Sequence, residues 1–313
     1  MSFKDQPTDT ISSIRFAKGS NTVFATIGWD CFIRVYDIEK SALIASKEVH
    51  APLLTIDFFN ENTMLVGGVD KTILAFNYES ERFFSLNTLP AVIKSICVCQ
   101  EEGIVAVGCW NETLYFLDFS DPGKIVKEME LPAKVFDMSY NDGNLVIALS
   151  DKSMALYTFA DELLALRKTL LKSQIRCADI SSDGSLAFGS VQGRVLYSHV
   201  EEATSLALSF AFRAHKSKNS VFPVNSVCFS HKNPTSVITA GSDGKVISWC
   251  TQSRSRIDKL YINSSKQNIS SVRLSDDDKH LVIGVGPVYQ TENPSSFVEL
   301  VVIDVDETSL LPK

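Results

Sequence analysis

The sequence has neither long apolar runs nor the common motifs of catalysis. Among its 313 residues no stretch of 18 apolar residues occurs, so we expect no membrane-spanning helix. The polar N-terminus, MSFKDQPTDT, does not resemble a secretory signal peptide. The segment GVGP (284–287) lacks the rest of a phosphate-binding loop, and no serine stands in a Gly-x-Ser-x-Gly turn. The five histidines have no metal-ligand spacing. We therefore expect no catalysis, no cofactor and no metal.

The sequence also has no cysteine spacing typical of disulfides and no excess of positive charge. The seven cysteines are odd in number, form no Cys-x-x-Cys pair and lie mostly in apolar runs. This distribution is typical of free, buried thiols in a reducing compartment. The net charge of −7 disfavours a protein that binds nucleic acid through bulk charge. The hydrophobic fraction of 45% is enough for a sizeable core and excludes disorder as the main state.

A unit of about 40 residues recurs along the chain. It consists of a short apolar strand, a turn of small residues with Gly and Asp, and a second, alternating strand. Six copies can be read, and they are TIGWDCFIRVYD (26–37), VGGVDKTILAFN (66–77), VGCWNETLYFLD (107–118), IALSDKSMALYT (147–158), FGSVQGRVLYSH (188–199) and AGSDGKVISWC (240–250). Their turn residues follow at steps of 40, 41, 40, 41 and 51 residues and are Asp30, Asp70, Asn111, Asp151, Gln192 and Asp243. The period indicates a β-propeller, in which neighbouring blades cover each other's faces. The Asp or Asn of a turn fits either a positive φ or a side-chain cap of the turn.

Seven segments fit the first strand of a blade. They are ISSIRFA (11–17), LLTIDFF (53–59), IKSICVC (93–99), VFDMSY (135–140), IRCADIS (175–181), VNSVCFS (224–230) and ISSVRLS (269–275). Their number predicts seven blades, with residues 1–313 forming one propeller domain. The last blade, with HLVIGVG and FVELVVIDV, is one strand short, and we expect the stretch before Ile11 to complete it. DELLALRKTLLKSQ (161–174) has leucines at helical spacing, but the room between its flanks favours the outer strand of a blade.

The order of several segments resembles a known family. These segments are TISSIRFA, GWDCFIRVYD, LLKSQIRCADI, FGSVQGRVLYS, FAFRAHK and FPVNSVCFS, followed by TAGSDGKVISW. Together they resemble the mitotic spindle-checkpoint WD-repeat propellers (budding uninhibited by benzimidazoles, third member) and the paralogous messenger-RNA export propellers. The resemblance covers essentially the whole chain and is strongest from Leu171 to Trp249. It implies an all-β, seven-bladed WD-repeat propeller, in which His50 occupies the position of a structural, hydrogen-bonding histidine.

The resemblance implies a surface that binds acidic peptides. In this family two arginines of the top face bind acidic residues of a short segment, the GLEBS motif, in checkpoint kinases or a nucleoporin. The matching residues here are Arg176 in QIRC and Arg194 in QGRV. A planar guanidinium can bind a carboxylate through two parallel hydrogen bonds. The alternative is that both arginines are ordinary surface residues whose aliphatic stems pack on neighbours.

A second implied site binds phosphothreonine in MELT-type repeats of a kinetochore scaffold protein. The family's Cys-His-Arg is replaced here by Ala214-His215-Lys216, so Lys216 keeps the charge but loses the guanidinium fork. Arg213 and Lys218 add positive charge within six residues. The insertion behind the 51-residue step is expected here, in a loop between blades.

Three further residues are assigned to the phosphopeptide site by the same resemblance. Lys232 aligns with a second family lysine, next to a one-residue insertion. Trp29 and Trp110 match tryptophans that pack against apolar side chains of the peptide. The alternative for both tryptophans is packing between blades.

Two functions remain open, a checkpoint adaptor and the paralogous export factor. The short N-terminus, Pro223 in FPVN and the segment LPAKVFDMSYNDGNLVIAL favour the adaptor. An enzyme built on a propeller would need convergent titratable residues in the axial pocket, which the sequence does not indicate. A generic WD-repeat scaffold is the remaining alternative.

The adaptor function implies checkpoint kinases and a phosphorylated kinetochore scaffold as partners, with no direct nucleic-acid or membrane contact. It also implies a monomer that resides in the nucleus, at kinetochores during mitosis, and otherwise in the cytoplasm.

Overall fold

The chain folds into seven antiparallel sheets arranged as blades around a central axis. The structure, a computed structural model, describes residues 3–218, 220–265, 267–287 and 297–311. Each sheet is built from strands that follow one another along the chain. The first strand of each blade contacts the first strands of both neighbouring blades, and the first and last blades meet in the same way, so the ring is closed. This is the predicted seven-bladed WD-repeat β-propeller.

The strand bounds show the regularity of the repeat. Blade by blade, the strands are β1 Ile11–Phe16, β2 Val23–Gly28, β3 Phe32–Asp37, β4 Ala42–Glu48; β5 Leu53–Phe58, β6 Thr63–Gly68, β7 Thr72–Asn77, β8 Arg82–Thr88; β9 Ile93–Cys99, β10 Ile104–Cys109, β11 Thr113–Asp118, β12 Asp121–Glu130; β13 Val135–Asn141, β14 Asn144–Leu149, β15 Ser153–Thr158, β16 Leu163–Lys168; β17 Ile175–Ile180, β18 Ser185–Ser190, β19 Arg194–His199, β20 Phe210–Arg213; β21 Val224–Phe229, β22 Ser236–Gly241, β23 Lys245–Cys250, β24 Ser255–Ile262; β25 Ile269–Leu274, β26 His280–Val285 and β27 Glu299–Asp304. One α-helix, α1 Glu202–Leu208, and two short 3₁₀ turns, Gln100–Glu102 and Glu307–Ser309, complete the described elements. All seven predicted first strands are confirmed.

The turns between second and third strands explain the recurring Asp. In three of them the Asp carboxylate accepts a hydrogen bond from the backbone N–H two residues later, as Asp151 does from Ser153 at 3.0 Å. The positive φ falls on the residue after the Asp, for example 75° at Lys152 and 69° at Lys71. Of the two roles left open by the sequence, these aspartates therefore have the capping one.

The apolar core lies between neighbouring blades. One of its clusters joins Val35 of β3 to Ile56 and Phe76 of the next blade, all buried. The second and third strands are buried on both faces, which explains their nearly continuous apolar sequences. Outer strands alternate between half-buried and exposed residues, as β4 does. A fully buried Leu, Ile or Val side chain stabilises the fold by about 1.5–3 kcal/mol, so blade stacking is the main source of stability.

The last blade is closed differently from the prediction. Its sheet has three strands among the described residues, and no described N-terminal residue adds a fourth. Instead, the Gln6 side-chain carbonyl accepts a hydrogen bond from the backbone N–H of Leu300 at 2.6 Å. Phe3 is buried against Phe24 and Tyr36 of the first blade. The N-terminal segment therefore ties the two ends of the ring through side chains.

Two local predictions have different outcomes. Residues 163–168 form strand β16, so the leucines at helical spacing belong to the outer strand of blade 4, as expected. The extra length of blade 5 does not lie only between blades, because part of it forms α1 inside the blade, between β19 and β20. The helix was not predicted from the sequence. None of the helices in the described ranges is long and apolar enough to cross a membrane.

Candidate functional site

The two ends of the propeller carry different loops. We call top face the end formed by the loops before the first strands and by the turns between second and third strands. Turns after the first strands and α1 belong to the other end, the bottom face. Arg176, Arg194 and Lys216 all lie on the top face, as do Trp29 and Trp110.

A ring of β-bulges surrounds the top of the central channel. In every blade the second residue of the first strand is skipped in the pairing with the second strand. We call these residues the bulge ring, and they are Ser12, Leu54, Lys94, Phe136, Arg176, Asn225 and Ser270. A bulge re-aims the side chain of the unpaired residue. All seven line one cavity of about 360 Å³ at the channel mouth.

Both predicted tryptophans stand at this mouth. Trp29 follows β2 and Trp110 follows β10, and both line the cavity of the bulge ring. Their exposed fractions are 49% for Trp29 and 37% for Trp110. Such exposure is unusual for the largest apolar side chain, and it argues against the alternative in which they pack between blades.

Arg176, Arg194 and Arg213 form a radial row on blade 5, which we call the basic row. Arg176 lies on the inner strand β17, Arg194 begins β19, and Arg213 ends the outer strand β20 directly opposite Arg194. Because adjacent strands are about 4.8 Å apart, the row spans about 14 Å from channel to rim. Arg194 and Arg213 form no ion pair with any described residue. Two unpaired, opposite guanidinium groups favour an anionic ligand.

The loop that carries Lys216 is anchored by a buried histidine. His215 is fully buried, and its Nδ1 lies 2.7 Å from Oδ1 of Asp243 while its Nε2 lies 2.9 Å from the hydroxyl of Thr239. Trp249 donates its indole N–H to the same hydroxyl at 2.9 Å. Burial acts to raise the pKa of Asp243, but the hydrogen bonds from His215 and Lys245 outweigh it and hold that pKa below its usual value. Lys216 is held at the surface next to this anchor.

The packing around His215 leaves no space for a larger neighbour. A Cβ added at Gly241 would collide with the imidazole ring. The N–H groups of Ala214 and His215 both donate to the carbonyl of Gly193, one residue before Arg194. Lys216 and Arg194 are thereby brought to the same part of the top face.

His50 has the predicted type of hydrogen-bonding partner, but it lies at the surface. Its Nε2 lies 3.0 Å from Oδ2 of Asp70, and its side chain is 72% exposed. Blade 6 supplies Thr239 and Trp249 around its histidine. Blade 2 has Val66 and Phe76 at the corresponding register positions, which offer no hydrogen bond. The imidazole ring of His50 therefore lies at the surface of the protein and is not buried in blade 2.

Lys232 does not belong with the other predicted phosphopeptide residues. It lies in the turn after β21, on the bottom face, where its backbone N–H donates to Asp278 at 3.0 Å. Lys216 precedes the same strand, on the top face. A six-residue strand is about 20 Å long, so one phosphate cannot contact both lysines. The prediction that Lys232 and Lys216 share one phosphopeptide site is therefore wrong. Arg213 and Lys216 both lie on the top face, so they can still share such a site.

The sequence reasoning missed Lys94. It is the second residue of β9, the same strand position that Arg176 occupies in β17. The signal was present in the aligned first strands, where only these two of the seven bulge positions carry a charge. Burial lowers the pKa of Lys94; Asp137 opposes that shift, whereas the charge of Arg176 adds to it. No group of His, Cys, Asp and Glu residues in the described ranges could hold a metal ion.

Comparison with known proteins agrees with this architecture. The model of the WD domain, G-beta repeat, matches residues 1–37 and 205–250. A solved structure of U3-55K superposes with a TM-score of 0.83 and covers 97% of this chain and 98% of its own, at 13% identity. That likeness concerns the fold alone.

Curated relatives extend the similarity to sequence. The mitotic checkpoint protein BUB3.3 of Arabidopsis thaliana is 28% identical over 299 residues, 93% of each chain. The spindle assembly checkpoint protein bub3 of Schizosaccharomyces pombe is 27% identical over 287 residues, 88% of each chain. The Poly(A)+ RNA export protein of the same yeast is 27% identical over 272 residues, 82% of this chain and 76% of its own. The chain is thus a seven-bladed WD-repeat propeller that resembles the mitotic checkpoint propellers and the related messenger-RNA export factors over most of its length.

Proposed function

We propose that this propeller is a non-catalytic spindle-checkpoint adaptor. Its top face binds GLEBS-type segments of checkpoint kinases, chiefly through Arg176 and Arg194. The same face binds phosphorylated MELT-type repeats of a kinetochore scaffold through Lys216 and Arg213. Trp29 and Trp110 receive apolar side chains of the bound segments. The adaptor acts in the nucleus and at kinetochores.

The observation that carries this proposal is the basic row beside two exposed tryptophans. The whole chain has a net charge of −7, yet three arginines stand in line on one blade of the top face. Planar guanidinium groups suit carboxylates and phosphates, and exposed aromatic rings suit the apolar part of a peptide. This combination supports an acidic peptide as the ligand.

The setting of Lys216 supports a phosphate-reading role. The lysine is exposed at the start of a hairpin loop, where its backbone pairs with Val221. The buried His215 fixes the base of that loop, so the ammonium is presented on a rigid support. An ammonium holds phosphate as a point charge without bidentate geometry.

The second candidate function is messenger-RNA export. The similarity to the Poly(A)+ RNA export protein of Schizosaccharomyces pombe favours it. The two checkpoint relatives align with a larger share of this chain, 93% and 88% against 82%. We therefore place the checkpoint adaptor first. In the export factor, the same basic row would bind the GLEBS segment of a nucleoporin.

A fluorescence-anisotropy titration separates these functions. A phosphothreonine MELT-type peptide and its unphosphorylated twin are titrated with the protein, with and without a saturating GLEBS-type peptide. The adaptor predicts binding that depends on the phosphate in at least one condition. Equal binding of the twins in both conditions, with GLEBS-type binding intact, would favour the export factor. Absence of GLEBS-type binding as well would refute both functions.

A further inference from the structure

Most blades of this propeller protect the free edge of their outermost strand. The outer strands β4, β8, β12 and β24 pair with the third strands of their blades through at least one register shift. Such bulges interrupt the row of free N–H and C=O groups, so another strand cannot easily continue the sheet. In blade 5 the outer strand β20 has only four residues. In blade 7 the Gln6 side chain hydrogen-bonds to both the N–H and the carbonyl of Leu300, which covers the edge strand β27.

In the described part of the chain, strand β16 of blade 4 has none of these protections. Its six residues pair with six residues of β15 without a register shift. The strand forms the edge of its sheet, and the side chains of Leu163 and Leu166 are 58% and 54% exposed. A regular, exposed and apolar edge strand is a template for pairing with another strand. Strand β16 is therefore the described edge that is best suited to extend its sheet onto a second chain.

One face of this edge carries an acid at one end, a base at the other and leucines between them. Side chains alternate along a strand, so every second residue shares a face. The residues on the face toward blade 3 are Glu162, directly before the strand, and Leu164, Leu166 and Lys168. Leu164 packs against the core between blades 3 and 4, and Glu162 lies 2.7 Å from Lys127 of β12. The Glu162 side chain is 73% exposed, so it can contact a further cation.

This pattern is complementary to itself when two copies of β16 run antiparallel. A two-fold axis perpendicular to the sheet places each residue opposite a residue on the same face of the second copy. With Ala165 opposite its own copy, Lys168 lies opposite Glu162 of the second copy. In the same register Leu166 lies opposite Leu164, and symmetry repeats each pair. Opposite charges and apolar side chains directly across a strand pair stabilise it, whereas like charges destabilise it.

The face toward blade 5 is compatible with the same register. Arg167 donates to the carbonyl of His199 at 2.9 Å and to that of Val200 at 2.7 Å, so its guanidinium is held by its own chain. The aliphatic stem of Arg167 lies opposite Leu163 of the second copy and can pack against it. In this register no like charges stand opposite each other within residues 161–169.

We propose that β16 is a docking edge for a second copy of this chain, and that two propellers pair through it into one continuous eight-stranded sheet. This interface does not rest on the proposed function, and it differs from the monomer that the family resemblance implies. One strand on each side buries less surface than the about 1,200–2,000 Å² of stable interfaces, so the dimer dissociates on dilution. Antiparallel pairing points the two top faces in opposite directions, which leaves both accessible to a peptide.

Sedimentation velocity over about 0.5–500 μM protein tests the association. The wild type should shift with concentration from the monomer to twice its mass. Leu166→Lys and Lys168→Glu should each weaken dimerisation at least about 10-fold, because each acts twice across the symmetric pair. Phe84→Lys and Lys259→Glu are the matched controls, since they make comparable changes at exposed positions of the bulged strands β8 and β24. Both controls should dimerise as the wild type does.

A charge swap tests the pairing of the strand ends. Glu162→Lys and Lys168→Glu each place like charges opposite each other, so each variant alone should be mostly monomeric. An equimolar mixture of the two variants restores both pairs of opposite charge, and it should form heterodimers with an affinity close to that of the wild type. A mixture that associates no better than its components would overturn this register.

Cysteine cross-linking reads the register independently. Ala165→Cys places two thiols opposite each other, with Cα atoms about 4.5–5.5 Å apart, which is within the range of a disulfide. Leu163→Cys is the control, because its two copies are about 13 Å apart although the side chain is more exposed. With diamide as the oxidant, Ala165→Cys should form a covalent dimer on a non-reducing gel, and Leu163→Cys and the wild type should not.

The outcomes separate this interface from the function of the top face. A wild type that stays monomeric over the whole concentration range, without a cross-link in Ala165→Cys, would overturn the second copy as the occupant of this edge. A dimer that Leu166→Lys and Lys168→Glu leave unchanged would overturn β16 as its interface. Leu166→Lys should keep the wild-type affinity for a GLEBS-type peptide, so failure of either proposal does not decide the other.

Discussion

Replacing His215 with Ala should destabilise the fold far more than replacing His50. Both histidines pair with the Asp of the next turn, but His215 is buried and His50 is 72% exposed. His215→Ala removes a bond to a charged acceptor, about 1.5–3 kcal/mol, and one to Thr239, about 1 kcal/mol, and it leaves a cavity. Asp243 keeps Lys245 and Thr239 keeps Trp249, so neither loses every partner. We expect a loss of about 3–5 kcal/mol.

Calorimetry can measure this difference directly. At about 2.1 cal/mol/K of unfolding entropy per residue, each kcal/mol lowers the Tm of a 313-residue chain by about 1.5 °C. His215→Ala should therefore lower Tm by about 5–8 °C. An exposed contact such as that of His50 with Asp70 contributes about 0–1 kcal/mol, so His50→Ala should lower Tm by at most about 1.5 °C. Equal shifts for the two variants would refute the assignment of the anchoring role to burial and to Thr239 and Trp249.

Two predictions concern the top face. Arg194→Glu should abolish binding of a GLEBS-type peptide, since breaking a desolvated charge pair costs about 2–5 kcal/mol. Lys232→Glu, on the bottom face, is the matched control and should leave the peptide affinity unchanged. Equal losses of affinity in the two variants would contradict the assignment of peptide binding to the basic row. Lys216→Glu should weaken phosphopeptide binding and spare the GLEBS-type peptide in anisotropy titrations; loss of both would mean that the sites are not separate.

Periodicity predicted the fold because it is a local property. All seven first strands, including β1 and β25, start at the predicted residue, since apolar alternation and turn residues recur in every blade. The helical spacing of leucines around β16 did not lead to a wrong prediction, because the blade frame left room only for an outer strand. Helix α1 escaped prediction, since its Glu202–Leu208 sequence carries none of the buried residues that make a helical pattern visible.

The site was less predictable because it depends on which end of a strand a residue occupies. Lys232 is close in sequence to Lys216, yet a strand separates them and places them on opposite faces. The position of Lys94 at the channel mouth depends on a bulge, and bulges arise from pairing between strands and cannot be read from one strand alone. His50 and His215 look alike in sequence, and only their partners across the blade distinguish them.

Hydrogen–deuterium exchange of the protein with and without a saturating GLEBS-type peptide tests most directly whether the top face is the binding surface. We predict new protection in the top-face segments around Trp29, Trp110, Arg176 and Arg194, with no change in α1 or in the bottom-face turn at Lys232. Protection confined to the bottom face or to the outer strands, with the top face unchanged, would contradict the account.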